Sequence, residues 1–361
     1  MFERRLYFHI DWILIVAVFA LCAIGLVTIY SATGGPTGIY RTQIYAIGLG
    51  IAAMLACMAI DYRSLADKSH LIYLAMIFAL VGVLVFGSVR GGSRRWIDLG
   101  FYNIQPSEFA KATLALMLAK MLGESRRRAF TNNDLLLAGI LTAVPVLLIA
   151  RQPDLGTAVT LIPILLTITY VAGMPVRYLG ILALVGLLAA PFAYQFALQD
   201  YQRERISTFL DPEQDPRGAG YQQLQARITV GSGGVWGKGF MQGTQGQLRF
   251  LPVAHNDFIF SVLAEERGFV GVLVALGLYL FVIMRSLAAA RLAKDRLGAY
   301  LVLGVLASFT FQVVYNIMMS CGIVPVKGLT LPLLSYGGSS MIATLAGFGL
   351  ILNVRMRRFT N

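Results

Sequence analysis

Lipid, unlike water, gives an unpaired peptide group no hydrogen-bond partner, and this chain repeatedly offers stretches that fit only such a medium. Seven apolar runs long enough for a hydrocarbon layer of roughly 30 Å lie at about Trp12 to Tyr30, Thr42 to Ile60, Leu71 to Val89, Tyr178 to Ala197, Phe258 to Met284, Leu297 to Ser320 and Gly337 to Val354. Three more, Ser107 to Leu122, Leu135 to Ala150 and Leu155 to Gly173, are shorter or marked by polar residues and span if their ends snorkel. The expectation is an all-α polytopic membrane protein of about ten transmembrane helices, one integral domain over residues 1–361 with no separate soluble unit. Charge content agrees: 13% of the residues are charged, against roughly 25% in soluble chains.

Charge placement then sets the orientation. Ten spans bring both termini to one side, and that side collects 16 Lys and Arg, among them Arg4, Arg5, Arg126, Arg127, Arg128, Arg285 and Arg355. The short loops of the other side hold six: Arg41, Arg90, Arg94, Arg95, Arg151 and Lys327. By the positive-inside rule the termini are cytoplasmic. The net charge of +12 is thus mostly topology, and nucleic acid is excluded as a partner because no basic surface domain exists to carry it. The first apolar run is longer than a signal-peptide core, so retention of the amino terminus is expected. Cys22, Cys57 and Cys321 sit at no metal-ligand spacing and read as packing residues.

One connection, about Leu198 to Asn256 between helices seven and eight, is far longer than the rest and is placed outside by the charge count. It reads as irregular chain: a charged stretch at Arg203, Glu204 and Arg205, turns at Asp211-Pro212 and Asp215-Pro216, and a glycine-rich piece from Gly231 to Gly246. A phosphate loop ending in Gly237-Lys238 would need Gly at 232 and Ser or Thr at 239, where Ser232 and Gly239 stand. Flexible backbone or tight turns are the better reading.

Polar clusters mark the span ends. Asp257 stands at the lip of a span, where a carboxylate either caps the helix or faces a substrate. Glu265 and Glu266 lie roughly 12 Å further along the same helix, and are expected to face a polar cavity or the inner interface. Gln105-Pro106-Ser107-Glu108 opens another span, with Glu108 and Lys111 at i, i+3, either a neutralised pair or a contact in an internal cavity. Arg94, Arg95 and Trp96 precede it, suited to an anionic headgroup or simply solvated. Arg151-Gln152-Pro153-Asp154 reads as a polar hinge, and Pro325 to Ser340 carries too much Pro and Gly for a continuous helix.

Five of these stretches in order, Arg95 to Gly100 (RWIDLG), QPSE with Lys111, QPDLGT from Gln152, HNDFIF from His255 and LSYGGSS ending at Ser340 with Asn316 upstream, make the chain resemble the SEDS family (shape, elongation, division and sporulation) through nearly its whole length. The Leu99-Gly100 and Asp154-Leu155-Gly156 wording, with no long leader, is nearer the family's elongation branch than its division branch. Ala254 stands where relatives often carry a polar residue ahead of the His.

The resemblance implies a peptidoglycan glycosyltransferase that polymerises lipid II, a disaccharide-pentapeptide on undecaprenyl diphosphate, at the outer face of the bacterial cytoplasmic membrane during cell elongation. It implies Asp257 as the catalytic carboxylate and the Glu108–Lys111 pair in a cavity that binds substrate with Arg95, Trp96, Gln105, Asp154 and His255. It further implies a class B penicillin-binding protein as partner, among other membrane proteins of an elongation complex. It fixes no cofactor; a divalent cation, Mg²⁺ or Mn²⁺, has a place opposite the leaving diphosphate, and Asp257 is either general base or ligand to that cation. Two other readings stay open: a lipid II flippase, which shares the helices and ligand, and a scaffold, which needs no charges inside the bilayer.

Overall fold

The computed structural model describes residues 9–90, 93–98, 100, 103–125, 130–197, 200–211, 215, 218–247, 250–251 and 254–359. Of the residues named above, Arg4, Arg5, Leu99, Arg126 to Arg128, Leu198, Pro212 and Pro216 lie outside them. Each apolar run becomes a helix: α1 (Trp12–Ala32), α2 (Gly38–Ala59), then a short α3 (Tyr62–Asp67) before α4 (Ser69–Phe86). Strands β1 (Ser88–Arg90), β2 (Ser93–Asp98) and β3 (Asn103–Ile104) follow, then α5 (Pro106–Gly123), α6 (Asn132–Arg151), α7 (Leu155–Val171) and α8 (Val176–Phe192). The chain continues through α9 (Asp200–Leu210), α10 (Ala219–Ser232), α11 (Thr244–Gln247), α12 (Ile259–Arg291), α13 (Arg296–Ser320) and α14 (Gly338–Met356).

Seven of these helices are long and apolar enough to cross a membrane. They include α6, which the sequence marks as weak, and leave out α8, whose 17 residues are short. Boundaries follow caps: the side chains of Asp11, Thr37, Thr131, Asp154 and Asp295 each accept a hydrogen bond from an N–H in the first turn of the helix they precede. The bundle inverts the pattern of a water-soluble fold. Phe78, Phe86, Leu147 and Leu187 are exposed on its flanks, whereas Gln43, Glu108, Lys111, Thr160 and Asn316 are buried between helices.

Two expectations are corrected. Arg94, Arg95 and Trp96 are not a simply solvated stretch but part of β2, the middle strand of an antiparallel three-stranded sheet, with Trp96 opposite Ser88 and only Arg94 of the three exposed. The long connection also has its own structure, because α9, α10 and α11 lie within it. Its glycine-rich piece fills a break in α12 at Gly268, where φ is 64°. That break frees backbone groups that the piece satisfies: the N–H of Phe269 donates to Gly234 O at 2.9 Å, and the N–H of Lys238 to Glu265 O at 2.9 Å.

Glu265 and Glu266 accordingly face this piece rather than an open cavity. Glu265 Oε1 accepts from Lys238 Nζ at 2.7 Å and from the Gln245 N–H at 3.0 Å, and Glu266 accepts from the Ser31 hydroxyl on α1. A Cβ on Gly268 would stand 2.3 Å from Gly237 N. Gly268→Ala is therefore expected to lower the melting temperature of the detergent-purified protein, since the backbone conformation alone costs a side-chain-bearing residue roughly 1–3 kcal/mol. An unchanged melting temperature would show that the loop yields freely.

Between α13 and α14 the chain has no helix, as the Pro and Gly content requires. This segment inserts Leu331, Leu333 and Leu334 into the core, and Gly25 of α1 admits it, because a Cβ there would lie 2.7 Å from the Leu334 backbone. It forms one wall of the site.

Candidate functional site

Helix α5 begins beside the small sheet, and its first turn is held by buried polar groups. The Gln105 N–H donates to Ser339 Oγ at 2.9 Å, and Gln105 Nε2 donates to Asp154 Oδ2 at 2.7 Å and to Ser107 Oγ at 3.0 Å. Asp154 caps α7 through the Thr157 N–H and lies 3.8 Å from Arg95 Nη1. Burial raises its pKa, while the Arg95 charge and the Thr157 N–H act the other way. Residues from β2, α5, α7 and α14 are thereby joined.

They enclose a cavity of about 520 Å³, in the range of ligand sites. Arg95, Trp96, Gln105, Glu108 and Asp154 line it, together with Asn103, Asn256, Gly328, Ser339 and Ser340. Lys111 does not. Its ammonium lies 2.7 Å from Glu108 Oε2 and 3.0 Å from Gln312 Oε1, turned towards a second cavity of about 30 Å³ deeper in the bundle. Glu108 is 6% exposed and Lys111 7%, so both charges depend on each other and on Gln312 for compensation.

Asp257 is half-buried and is not itself among the lining residues, but it follows the lining residue Asn256 in the chain, and a Cβ on the lining residue Gly328 would meet its Oδ2 at 3.6 Å. Its position is fixed through the backbone. Asn316 Nδ2 on α13 donates to Asp257 O at 2.9 Å and to Leu329 O at 2.6 Å, which ties the start of α12 to the irregular segment. The side chain is not a helix cap: Phe258 occupies the N-cap position of α12, and no side chain bonds to the first turn. Asp257 Oδ1 is shut away from solvent with no hydrogen-bond partner. Burial pushes the carboxyl up to about 6, with the charges of Arg205 and Arg95 opposing.

His255 is half-buried, its ring 5.7 Å edge-on to Tyr336 and its carbonyl accepting from the Tyr336 N–H at 3.0 Å. It does not line the cavity, and burial lowers its pKa. Asn103 and Thr42 were not singled out from sequence. Ser339 and Ser340 carried a signal, since two serines opening an apolar helix have no packing reason to be there.

Among the described residues no three His, Cys, Asp or Glu side chains gather as a metal centre. The donor set therefore does not fit a resident ion held by the protein alone.

The apolar helices thus carry between them a polar cavity, an internal ion pair and a half-buried carboxylate whose Oδ1 has no hydrogen-bond partner. Comparison with known proteins is more specific. The model of the cell cycle protein family FtsW, RodA and SpoVE matches residues 11–359, and the chain belongs to that family. It is 39% identical over 350 residues to the peptidoglycan glycosyltransferase MrdB of Escherichia coli K12, covering 97% of this chain and 94% of that one. It is 32% identical over 424 residues to the peptidoglycan glycosyltransferase RodA of Treponema pallidum, covering 96% and 98%. Among solved structures, a chain from a peptidoglycan synthase complex that coordinates polymerization and crosslinking superposes with a TM-score of 0.86 at 37% identity, covering 98% and 99%. The rod shape determining protein RodA of Thermus thermophilus superposes with a TM-score of 0.74 at 34% identity, covering 98% of each chain.

Proposed function

We propose that this chain is a peptidoglycan glycosyltransferase that polymerises lipid II at the outer face of the cytoplasmic membrane. The observation that carries the reading is Asp257: a half-buried carboxylate whose Oδ1 is shut from solvent with no hydrogen-bond partner, beside Asn256 and Gly328 of the 520 Å³ cavity. Asp257 takes the proton from the acceptor sugar 4-hydroxyl as that oxygen attacks the donor's anomeric carbon. The bond from that carbon to the lipid diphosphate breaks, and the diphosphate leaves with both electrons. Arg95 meets the charge that develops there. Gln105, Asp154 and Ser339 offer hydrogen bonds to sugar hydroxyls, Trp96 an apolar wall, and the Glu108–Lys111 pair holds the cavity floor.

Purified chain in proteoliposomes, given purified lipid II, is expected to form glycan polymer, and faster with a class B penicillin-binding protein present. A flippase would instead change the accessibility of lipid II and make no polymer. Absence of polymer with and without the partner would overturn the assignment.

The same reading puts the termini in the cytoplasm and the α9 to α11 region outside. Its support is the 16 to six distribution of Lys and Arg. A cysteine at exposed Gln242 should react with a membrane-impermeant maleimide in intact spheroplasts; protection until lysis would reverse the orientation.

A further inference from the structure

The start of α1, the last turns of α12 and the end of α14 meet on one side of the membrane, at Asp11. Asp11 is 4% exposed and caps α1, accepting from the Leu14 N–H at 3.3 Å, immediately ahead of the first apolar span. Arg285 of α12 grips it with two bonds, Nε to Oδ2 at 2.9 Å and Nη2 to Oδ1 at 3.2 Å, and Arg355 of α14 forms an ion pair with Oδ2. Both carboxylate oxygens are then occupied.

One carboxylate thus serves two guanidiniums, and among the described residues it is the only acidic partner of either. The surplus is positive before Arg358 is counted, and Arg285 and Arg358 both repel the Arg355 charge. Arg355 Nη1 is closed to solvent and makes no hydrogen bond. Neutralising Asp11 needs only one of the two arginines. Neighbouring Arg357, by contrast, is absorbed by the fold, donating to Asn353 Oδ1 at 3.0 Å and to the Ala59 carbonyl at 3.2 Å. The Arg285 side chain stays 34% exposed, so the surplus charge has an open side. Apolar surface adjoins it. Helix α1 packs along α12, and Trp12, Ile13 and Val16 of the one and Phe281 and Met284 of the other are exposed within about a turn and a half of the charged groups. An indole at the end of a span belongs at headgroup depth. Cations above an exposed apolar flank suit a ligand with an anionic head and hydrocarbon tails, whereas a soluble anion would use only the first feature.

We infer that Arg285 and Arg355, joined at Asp11, form a binding site for the phosphate headgroup of an anionic phospholipid whose acyl chains lie against the exposed flanks of α1 and α12. Arginine suits the task because its planar fork presents paired donors to phosphate oxygens, and basic pockets between membrane helices are known to hold such headgroups. A zwitterionic lipid carries the same phosphate but brings its own cation to a site already positive. The occupied site ties α1, α12 and α14 together at the far end of α12 from Asp257. The inference goes beyond the polymerase reading and does not depend on it.

The test is retention of dioleoyl phosphatidylglycerol by the delipidated full-length chain in detergent, read by native mass spectrometry against dioleoyl phosphatidylcholine, with melting temperature as a folding control. The wild type is expected to hold phosphatidylglycerol at concentrations at which phosphatidylcholine is lost. Arg285→Gln leaves Arg355 to balance Asp11 and should weaken that binding at least about tenfold, as loss of a charged hydrogen bond predicts. Asp11→Asn keeps the cap, since Asn serves there as well as Asp. It should bind phosphatidylglycerol more tightly than the wild type, because it removes the anion that competes with the phosphate. A cluster that only ties helices together predicts lower melting temperatures in both variants and no lipid preference in any. Should Arg285→Gln fail to fold, Arg358→Gln, which leaves both Asp11 pairings in place, is expected to show a smaller loss of the same sign. Equal retention of the two lipids by the wild type, unchanged binding in the folded arginine variants, or no gain in folded Asp11→Asn overturns the site. Displacement of the lipid by equimolar glycerol phosphate would overturn the phospholipid as occupant and put a soluble phosphate ester in its place.

Discussion

Asp257→Asn is expected to reduce glycan polymerisation by about 10²–10⁴, the usual worth of a general base, and to leave folding and lipid II binding intact. The amide has the carboxylate's size and cannot take a proton at neutral pH. A helix cap would give a different result: normal turnover and a slightly lower melting temperature. The structure already sets that alternative aside, because the Asp257 side chain bonds to no N–H in the first turn of α12. The wild-type rate should also fall as pH drops through about 6, where burial places the Asp257 carboxyl, and level off above it. Stability runs the opposite way. Between roughly pH 4 and 6 the folded chain keeps a proton that the unfolded chain has released, so ionisation of Asp257 weakens the fold as pH rises through that window. Asp257→Asn protein should thus melt no lower than wild type at neutral pH. Normal polymer length and rate from it would remove Asp257 from the mechanism.

The second large effect is expected at the Glu108–Lys111 pair. Either Glu108→Gln or Lys111→Met leaves one charge buried without its partner, a change that typically costs 3–5 kcal/mol. Both should sharply lower the amount of folded protein in the membrane. The exchanged double variant, Glu108→Lys with Lys111→Glu, should recover more folded protein than either. Gln312 makes this plausible physically: its Oε1 now accepts from Lys111, its Nε2 is buried without a partner, and rotating the amide would present a donor to Glu at 111. Fluorescence-detected size exclusion reads the recovery, and the polymerisation assay then separates two roles. Folding restored without activity would place Glu108, which lines the main cavity, against substrate. Unaffected single variants would contradict the pair's importance to both folding and catalysis.

Sequence alone was enough for what depends on near neighbours or on the solvent. The seven long apolar helices were legible because lipid demands an uninterrupted apolar run. The Glu108–Lys111 pair was legible as well, since i, i+3 spacing on a helix is itself a contact. Even the irregular segment before α14 could be read, because Pro and Gly density is a local property.

What the sequence could not determine was which distant polar groups meet. Asn316 clamps Asp257 from 59 positions away, Gln105 reaches Asp154 across 49, and Arg205 finds Val326 across 121. Such bonds leave no period in the chain, and one polar residue in an apolar run looks the same whether it binds a carbonyl or a substrate. The glycine-rich piece shows the same limit: as sequence it reads as flexible backbone or tight turns, and only its fit into the break at Gly268 reveals it as the partner of freed peptide groups. The chain determined that this protein lives in a membrane and which residues are chemically capable. Tertiary packing decided which of them surround one cavity, because in a low-dielectric bundle a polar group settles where its hydrogen bonds can be completed, wherever in the chain the partner lies.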